Sequence, residues 1–154
     1  MKVKDIMTRE PETCTPRTTL ASAAHLMWEA DCGILPVVDD GKLVGVVTDR
    51  DMFIALATRD RRASTVTVGE VFNRPVLTCE PEDDVHDAMA TMHQGHVRRL
   101  PVVGFGGTVL GVISMNDIVL ATTSAAKELR SDEVVETFQA ICAHPHPVAQ
   151  LVTA

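Results

Sequence analysis

The sequence predicts an α/β fold made of two tandem repeats that pack sheet against sheet around a pseudo-twofold axis, followed by a C-terminal helical tail. Two observations support this prediction. A set of motifs recurs about 65 residues further along the chain, and within each copy short apolar runs typical of strands alternate with helical spacing. A unit of about 60 residues buries too little apolar surface to be very stable alone, which favours packing of the two copies around shared clefts.

The repeat is visible in three segments that keep one offset. Residues 3–8 (VKDIMT) correspond to 68–73 (VGEVFN), residues 13–16 (TCTP) to 78–81 (TCEP), and residues 35–38 (LPVV) to 100–103 (LPVV), each 65 positions apart. A one-residue insertion near Gly106-Gly107 then moves the offset to 66. We therefore divide the chain into repeat one (residues 1–64), repeat two (65–122) and a helical tail (123–154).

The residue pattern of each repeat predicts the order strand–helix–strand–strand–helix. In repeat one a short strand at 13–15 stops at Pro16, and a helix capped by Thr18 or Thr19 runs to about Asp31. Its predicted core face carries residues at i, i+4 and i+7, namely Leu20, Ala24 and Met27. Repeat two has the corresponding helix, with Asp83 or Asp84 as its cap and a core face of Val85, Met89 and Met92.

The next two strands of repeat one are predicted at 35–38 and 43–48. Asp39-Asp40-Gly41 joins them and is a hairpin signal, because Asp and Gly tolerate the positive φ angles of tight turns. Residues 104–107 form the corresponding turn in repeat two. A second helix begins after Thr48 and again after Ser114, and the polar segment 58–65 is the predicted linker.

Composition excludes several classes of protein. Apolar residues make up 45% and charged residues 23%, which is typical of a globular domain, and the net charge of −7 disfavours DNA as a partner. No apolar run approaches the ~20 residues of a membrane helix, and the N-terminus lacks a secretory apolar region, so we expect a cytoplasmic protein with no membrane contact. The four cysteines include no C-x-x-C pair.

The sharpest local pattern is a glycine, a hydroxyl and a carboxylate at fixed spacing. Residues 45–51 (GVVTDRD) and 111–117 (GVISMND) both place a hydroxyl, Thr48 or Ser114, where a helix begins, and a carboxylate, Asp51 or Asp117, in its first turn. Glycine in a strand permits close approach of a ligand or of backbone. A helix N-terminus with a hydroxyl suits a phosphate, and a carboxylate suits two ribose hydroxyls. The same spacing also describes a capping box, in which both side chains satisfy the helix backbone, and both roles remain open.

Two arginines, Arg98 and Arg99, precede the second LPVV strand, where repeat one has no basic residue. The guanidinium group matches the geometry of phosphate oxygens, and a solvated surface pair is the alternative. The asymmetry predicts unequal sites, with the better phosphate site in repeat two.

Taken together, residues 5–8 (DIMT), both LPVV strands and both G-x-x-[S/T]-x-x-D motifs resemble tandem cystathionine-beta-synthase (CBS) domains, the pair called a Bateman module. The resemblance covers about residues 1–122, and as a free-standing pair the chain is similar to small stand-alone bacterial hypoxic-response CBS proteins. It implies a disc-like homodimer that binds adenosine compounds such as AMP, ADP, ATP or S-adenosylmethionine. The implied ligand residues are Thr48, Asp51, Ser114, Asp117, Arg98 and Arg99, to which we add the cleft-side residues Cys14, Thr78 and Cys79.

Other candidate groups are assigned structural roles. Cys14 and Cys79 are predicted to be buried, with redox sensing as the alternative. A helix from Ser131 to about Ala143, with Ser131 at its capped start, is predicted to dock through Val135, Phe138 and Ile141 or Cys142, on the pair or on a partner subunit. Cys142, His144 and His146 could bind a metal ion, but a Pro-rich surface segment is the favoured interpretation of this end of the chain. His86, His93 and His96 are predicted to be exposed.

The sequence thus predicts a regulatory module that senses an adenine nucleotide, with that nucleotide as a regulatory ligand and no catalytic cofactor or metal. Its other predicted partners are a second copy of itself and an unidentified regulated protein. The main alternative is a stress-response interaction module whose clefts stay empty. A nucleotide hydrolase has the least support, because no nucleophile–base arrangement has a fixed spacing.

Overall fold

The computed structural model describes residues 1–124 and 129–143. The helices are α1 (Val3–Ile6), α2 (Leu20–Glu29), α3 (Asp49–Arg59), α4 (Val85–Gly95), α5 (Met115–Ser124) and α6 (Ser131–Cys142). The strands are β1 (Thr8–Arg9), β2 (Ile34–Asp39), β3 (Lys42–Thr48), β4 (Arg99–Val103) and β5 (Val109–Ser114). One sheet has the order β1-β5-β4 and the other pairs β2 with β3, so the predicted duplicated α/β architecture is confirmed. None of the helices described is both long and apolar enough to cross a bilayer.

Local signals place the elements of each repeat. The Asp40-Gly41 turn between β2 and β3 has positive φ at both residues, 47° and 74°, which is the geometry predicted for a two-residue hairpin. Thr19 caps α2 by accepting a hydrogen bond from the Ser22 backbone N–H, and Asp84 caps α4 by accepting one from the His86 backbone N–H. The predicted strands at 13–15 and at the corresponding position of repeat two are reduced to single parallel bridges, Cys14 with Val37 and Cys79 with Val102.

The two repeats exchange their leading segments. Thr8 in β1 pairs with Val112 in β5 of repeat two, and the corresponding residue Asn73 pairs with Val46 in β3 of repeat one. The bridges Lys2–Asp84 and Thr19–Thr67 are related by the same pseudo-twofold symmetry. Neither repeat is therefore closed by its own residues alone.

The buried side chains form two cores that reflect this exchange. Val3 lies in the core of repeat two with Leu100 and Ile113, while Val66 and Val68 lie in the core of repeat one. The segment predicted as a linker is partly structured: α3 extends to Arg59, and residues Ala63–Thr65 form a turn of 3₁₀ helix. The exchange joins the repeats through apolar contacts at both ends.

The predicted face of the first long helix is corrected at one position. Leu20 and Met27 are buried as predicted, but the third buried residue is Ala23, and Ala24 is exposed. The helix ends at Glu29 rather than near Asp31, whose φ of 48° is left-handed. Its counterpart α4 buries the predicted Val85, Met89 and Met92 together with Ala88.

Helix α6 packs on α4 and α5 of repeat two, so the predicted docking of the tail on the pair is confirmed, but the predicted face is correct only at Ile141. The buried side chains are Val134, Thr137 and Ile141, whereas Val135 and Phe138 are exposed. The helix also lacks the predicted cap, because Arg130 occupies the N-cap position without a side-chain hydrogen bond and pairs with Asp132 instead.

Candidate functional site

Both hydroxyl–carboxylate pairs form complete capping boxes. At the start of α3, Asp51 Oδ2 accepts hydrogen bonds from the Thr48 hydroxyl (2.6 Å) and backbone N–H (3.1 Å), and Thr48 Oγ1 accepts from the Asp51 N–H (3.2 Å). At the start of α5 the distances for Ser114 and Asp117 are 2.6, 2.8 and 3.3 Å. The capping role is therefore present in both repeats, and in both it occupies Oδ2 of the carboxylate, leaving Oδ1 outside these bonds.

The two carboxylates differ in one neighbour. Asn73, from the leading segment of repeat two, donates a hydrogen bond from Nδ2 to Asp51 Oδ2 at 2.7 Å. The corresponding position beside Asp117 is Thr8, which pairs through its backbone with Val112. Asn73 was not among the predicted site residues. The alignment of residues 3–8 with 68–73 contains the signal, because it makes Asn73 the counterpart of Thr8. Asp51 is thus more fully engaged by the protein than Asp117.

The strand glycines of the motif accommodate protein rather than open space. A Cβ at Gly45 would lie 2.0 Å from the Phe72 ring, and a Cβ at Gly111 would lie 2.6 Å from Met7 Sδ and 2.8 Å from the Thr8 carbonyl oxygen. Of the two explanations offered by the sequence, close approach of a neighbouring chain segment is the one observed. The glycines are required because the exchanged leading segments cross the strands at these points.

The structure separates the two candidate arginines. Arg98 faces α6, with Nη2 3.7 Å from Cys142 Sγ and its guanidinium 5.7 Å from the centre of the Phe138 ring. Arg99 is half-buried, pairs in register with Ser114 across β4 and β5, and lines a cleft of repeat one. Arg98 precedes β4 and contacts α6, whereas Arg99 is the first residue of β4 and lines the cleft, so the pair does not act as one group.

That cleft has a volume of about 560 Å³ and lies between α2 and α3. Its walls are largely apolar, with Ala24, Trp28, Phe53 and Leu56 on the two helices, and its polar lining includes Asp31, Asp49 and Arg99. Trp28 and Phe53 are 82% and 73% exposed. Of the predicted ligand residues, Arg99 lines this cleft.

The other predicted ligand residues lie against the core. Cys14 and Cys79 are buried in the cores of repeats one and two, and Thr78 is half-buried beside Cys79. Burial raises the pKa of the Cys14 thiol to about 11, and burial together with Asp83 raises that of Cys79 to about 12. Because the reactive species is the thiolate, these values disfavour the redox alternative.

Two separate histidines, one near the start of α4 and one after its end, contact α6. His86 Nδ1 lies 2.7 Å from Asp84 Oδ1, and its Nε2 lies 3.3 Å from Glu133 Oε2 on α6. The hydrogen bond with Asp84 is the main reason that the pKa of His86 is raised. His96 Nδ1 lies 3.0 Å from the Ala140 carbonyl oxygen, so this side chain also contacts α6. His86 and His96 are therefore partnered, and the predicted tail residues His144 and His146 lie outside the described residues.

Comparison with known proteins identifies relatives of this chain. A family model described as "CBS domain" matches residues 3–58 and 68–123. The chain is 35% identical over 118 residues to the CBS domain-containing protein YhcV of Bacillus subtilis, covering 77% of this chain and 83% of that protein. It is 29% identical over 140 residues to Hypoxic response protein 1 of Mycobacterium tuberculosis, covering 90% of this chain and 92% of that protein.

Solved structures give the same result. The CBS domain pair of protein MJ0100, in complex with 5′-methylthioadenosine and S-adenosyl-L-methionine, matches with a TM-score of 0.73 and 29% identity, covering 80% of this chain and 97% of that one. Hypoxic Response Protein I with two coordinated zinc ions matches with a TM-score of 0.71 and 29% identity, covering 78% and 98%. Within residues 1–124 and 129–143 of this chain, no three His, Cys, Asp or Glu side chains are grouped to hold a metal ion.

Proposed function

This chain belongs to the CBS domain family, and from that premise we propose that it is a regulatory module that binds an adenine nucleotide between its two repeats. The observation that supports the proposal is the hydroxyl–carboxylate pair repeated at the starts of α3 and α5. In each pair Oδ2 serves the helix cap while Oδ1 remains for ribose hydroxyls, so the cap positions the ligand group rather than competing with it. The MJ0100 pair binds adenosine derivatives, which supports this class of ligand.

We assign the tighter site to repeat two, at Ser114 and Asp117. Asp117 lacks the amide neighbour that engages Asp51, and Arg99 lies directly across the strand pair from Ser114. The corresponding residue opposite Thr48 is Ile34, which carries no charge. A guanidinium beside a helix N-terminus favours a phosphate, so AMP, ADP or ATP is preferred over adenosine.

The second copy of the chain is the other proposed partner. The exposed apolar side chains include matching positions of α3 and α5, because Phe53 and Ile54 correspond to Val119 and Leu120. Exposed apolar patches of this kind mark interaction sites, and a homodimer is the most economical way to cover a face repeated within one chain.

All four cysteines are free thiols, which supports our placement of the protein in the cytoplasm.

Regulation requires that the nucleotide bind two packings of the repeats unequally, because a ligand shifts an equilibrium only through its difference in affinity. The exchanged leading segments supply the coupling, since Asn73 of one repeat contacts Asp51 of the other. A change at the site would alter the relative position of the repeats and hence the surface offered to the regulated protein.

The test is thermal unfolding against a panel of AMP, ADP, ATP and S-adenosylmethionine. A ligand at about 100 times its dissociation constant stabilises the fold by roughly 2.7 kcal/mol, which is a readily measured shift. Absence of a shift with every compound at millimolar concentration would refute nucleotide binding and favour an interaction module with empty clefts. Chromatographic analysis of the same incubations detects any product of hydrolysis, and a product would overturn the non-enzymatic assignment.

A further inference from the structure

Helix α6 contacts α4 through an apolar side and a polar side. On the apolar side, Val134 and Ile141 of α6 lie in the core of repeat two with Met89 of α4. On the polar side, a groove of about 330 Å³ runs between the two helices. Its charged or titratable lining residues are His86, His93, Glu133 and Glu136. The strength of the polar contact therefore depends on which of these groups are ionised.

Both ring nitrogens of His86 face carboxylate oxygens. Nδ1 lies 2.7 Å from Oδ1 of Asp84, the N-cap residue of α4, and Nε2 lies 3.3 Å from Oε2 of Glu133 on α6. A neutral imidazole has one N–H and one lone pair, so it would turn the lone pair toward one of these oxygens. The imidazolium presents an N–H to each of them. The geometry therefore favours the protonated ring as the bridge between the two helices.

The Glu133 oxygen in this bridge has a further reason to need the proton. Oε2 is shielded from solvent, and no hydrogen bond reaches it from the residues that the structure describes. A shielded carboxylate oxygen without a hydrogen bond is costly, and a positive charge at 3.3 Å offsets part of that cost. Loss of the proton from Nε2 would leave this oxygen facing a lone pair.

The other titratable groups around the bridge differ from His86 in what they require. The terminal ammonium of Met1 lies 3.5 Å from Oδ2 of Asp84, on the oxygen that His86 does not use. His96 Nδ1 lies 3.0 Å from the Ala140 carbonyl oxygen of α6, and a neutral imidazole can donate that bond. Of the two histidines that contact α6, His86 is therefore the one whose contact requires the cation.

We propose that His86, between Asp84 and Glu133, is a proton-dependent latch that holds α6 on repeat two when it is protonated and loosens α6 when the proton is lost. The pKa of His86 is raised above its ordinary 6.5, mainly by Asp84 and less by Glu133. The contribution of the latch is therefore complete below that pH and is lost as pH rises through the raised pKa. Loosening α6 uncovers apolar surface of α4 and α5, so the surface that repeat two offers becomes pH-dependent whether or not a nucleotide binds.

The test is hydrogen exchange of the α6 amides at about pH 6 and 8, with rates corrected for the intrinsic effect of pH and with EDTA present so that no metal ion bridges the groove. A partly exposed ionic contact changes such an equilibrium ~2- to 5-fold. Protection of α6 in the nucleotide-free parent should fall by about this factor as pH rises, and His86→Gln should have the lower protection at both pH values. His96→Gln is the matched control at the other histidine that contacts α6, and it should keep the pH dependence of the parent.

Glu133→Gln decides whether the proton acts on α6 itself. The amide of the glutamine can donate to a neutral His86, so α6 should lose its pH dependence in this variant and remain protected at both pH values. In the Glu133→Gln background, the further change His86→Gln should have the same effect at both pH values. Equal protection of the parent at the two pH values overturns the proposal. An undiminished pH dependence in Glu133→Gln also overturns it, because the proton would then act through Asp84 alone.

Discussion

Replacing Asp117 and Asp51 separately by alanine tests whether the two equivalent carboxylates differ in the way that their neighbours indicate. Asp117→Ala removes the hydrogen bonds to the Ser114 hydroxyl and N–H. Asp51→Ala removes the same two bonds at Thr48 and, in addition, the bond from Asn73 that joins the repeats. We therefore expect the carboxylate of repeat one to be the more important for the fold and, on the proposed function, that of repeat two to be the more important for the ligand.

The magnitudes follow from these contacts. Loss of the carboxylate half of a capping box costs about 1 kcal/mol, so Asp117→Ala should lower the melting temperature by roughly 2–4 °C. Asp51→Ala should cost about 1.5–2 kcal/mol, because the partly exposed Asn73 contact adds to the cap. For the nucleotide the order is reversed: Asp117→Ala should weaken the tighter binding event about ten- to a hundredfold, and Asp51→Ala should spare it.

The assay combines urea unfolding of each variant with calorimetric titration by AMP and ATP. The expected result is that the variant with the smaller loss of stability shows the larger loss of affinity. If folded Asp117→Ala binds as tightly as the parent, Ser114 and Asp117 form only a helix cap and the site assignment is wrong. If Asp51→Ala is the less destabilised of the two, the contact with Asn73 does not contribute as the geometry indicates.

Three further predictions concern the phosphate group, the strand glycine and His86. Arg99→Ala should weaken ATP and AMP at least ~10-fold in calorimetry and leave adenosine nearly unchanged, because a charge-assisted contact to phosphate is lost; equal losses for all three would assign Arg99 a structural role. Gly111→Ala should destabilise the fold by about 1–3 kcal/mol in urea unfolding, since its Cβ would lie 2.8 Å from the Thr8 carbonyl oxygen; a neutral effect would show that the leading segment moves freely. Because the pKa of His86 is raised above its ordinary 6.5, its contribution to stability is complete below that pH and is lost as pH rises through the raised pKa. The free energy of unfolding should therefore fall between about pH 6 and 8 in the parent more than in His86→Gln, and identical slopes would refute the raised pKa that Asp84, and to a smaller extent Glu133, gives His86.

The sequence by itself determined the features that depend on neighbouring residues. The sequence placed the helix caps to within two neighbouring residues, of which the structure selects Thr19 and Asp84. The Asp40-Gly41 hairpin and the recurrence of LPVV and of the hydroxyl–carboxylate motif also specify local conformation, and a local conformation repeated along the chain implies a repeated unit. The resemblance to CBS domains rested on those same motifs, and the family match covers both copies.

Tertiary structure decided the features that depend on which distant segment of the chain packs against a surface. The exchange of leading segments explains Gly45 and Gly111, whose absent side chains leave room for Phe72 and Met7 from the other repeat. The periodicity of α6 predicted docking, but of the predicted face Ile141 is buried while Val135 and Phe138 are exposed. Ala24 and Met89 occupy equivalent positions and differ in burial because α6 covers one helix pair and leaves the other open. Burial is a property of the completed packing, and the periodicity of one helix does not contain the position of another.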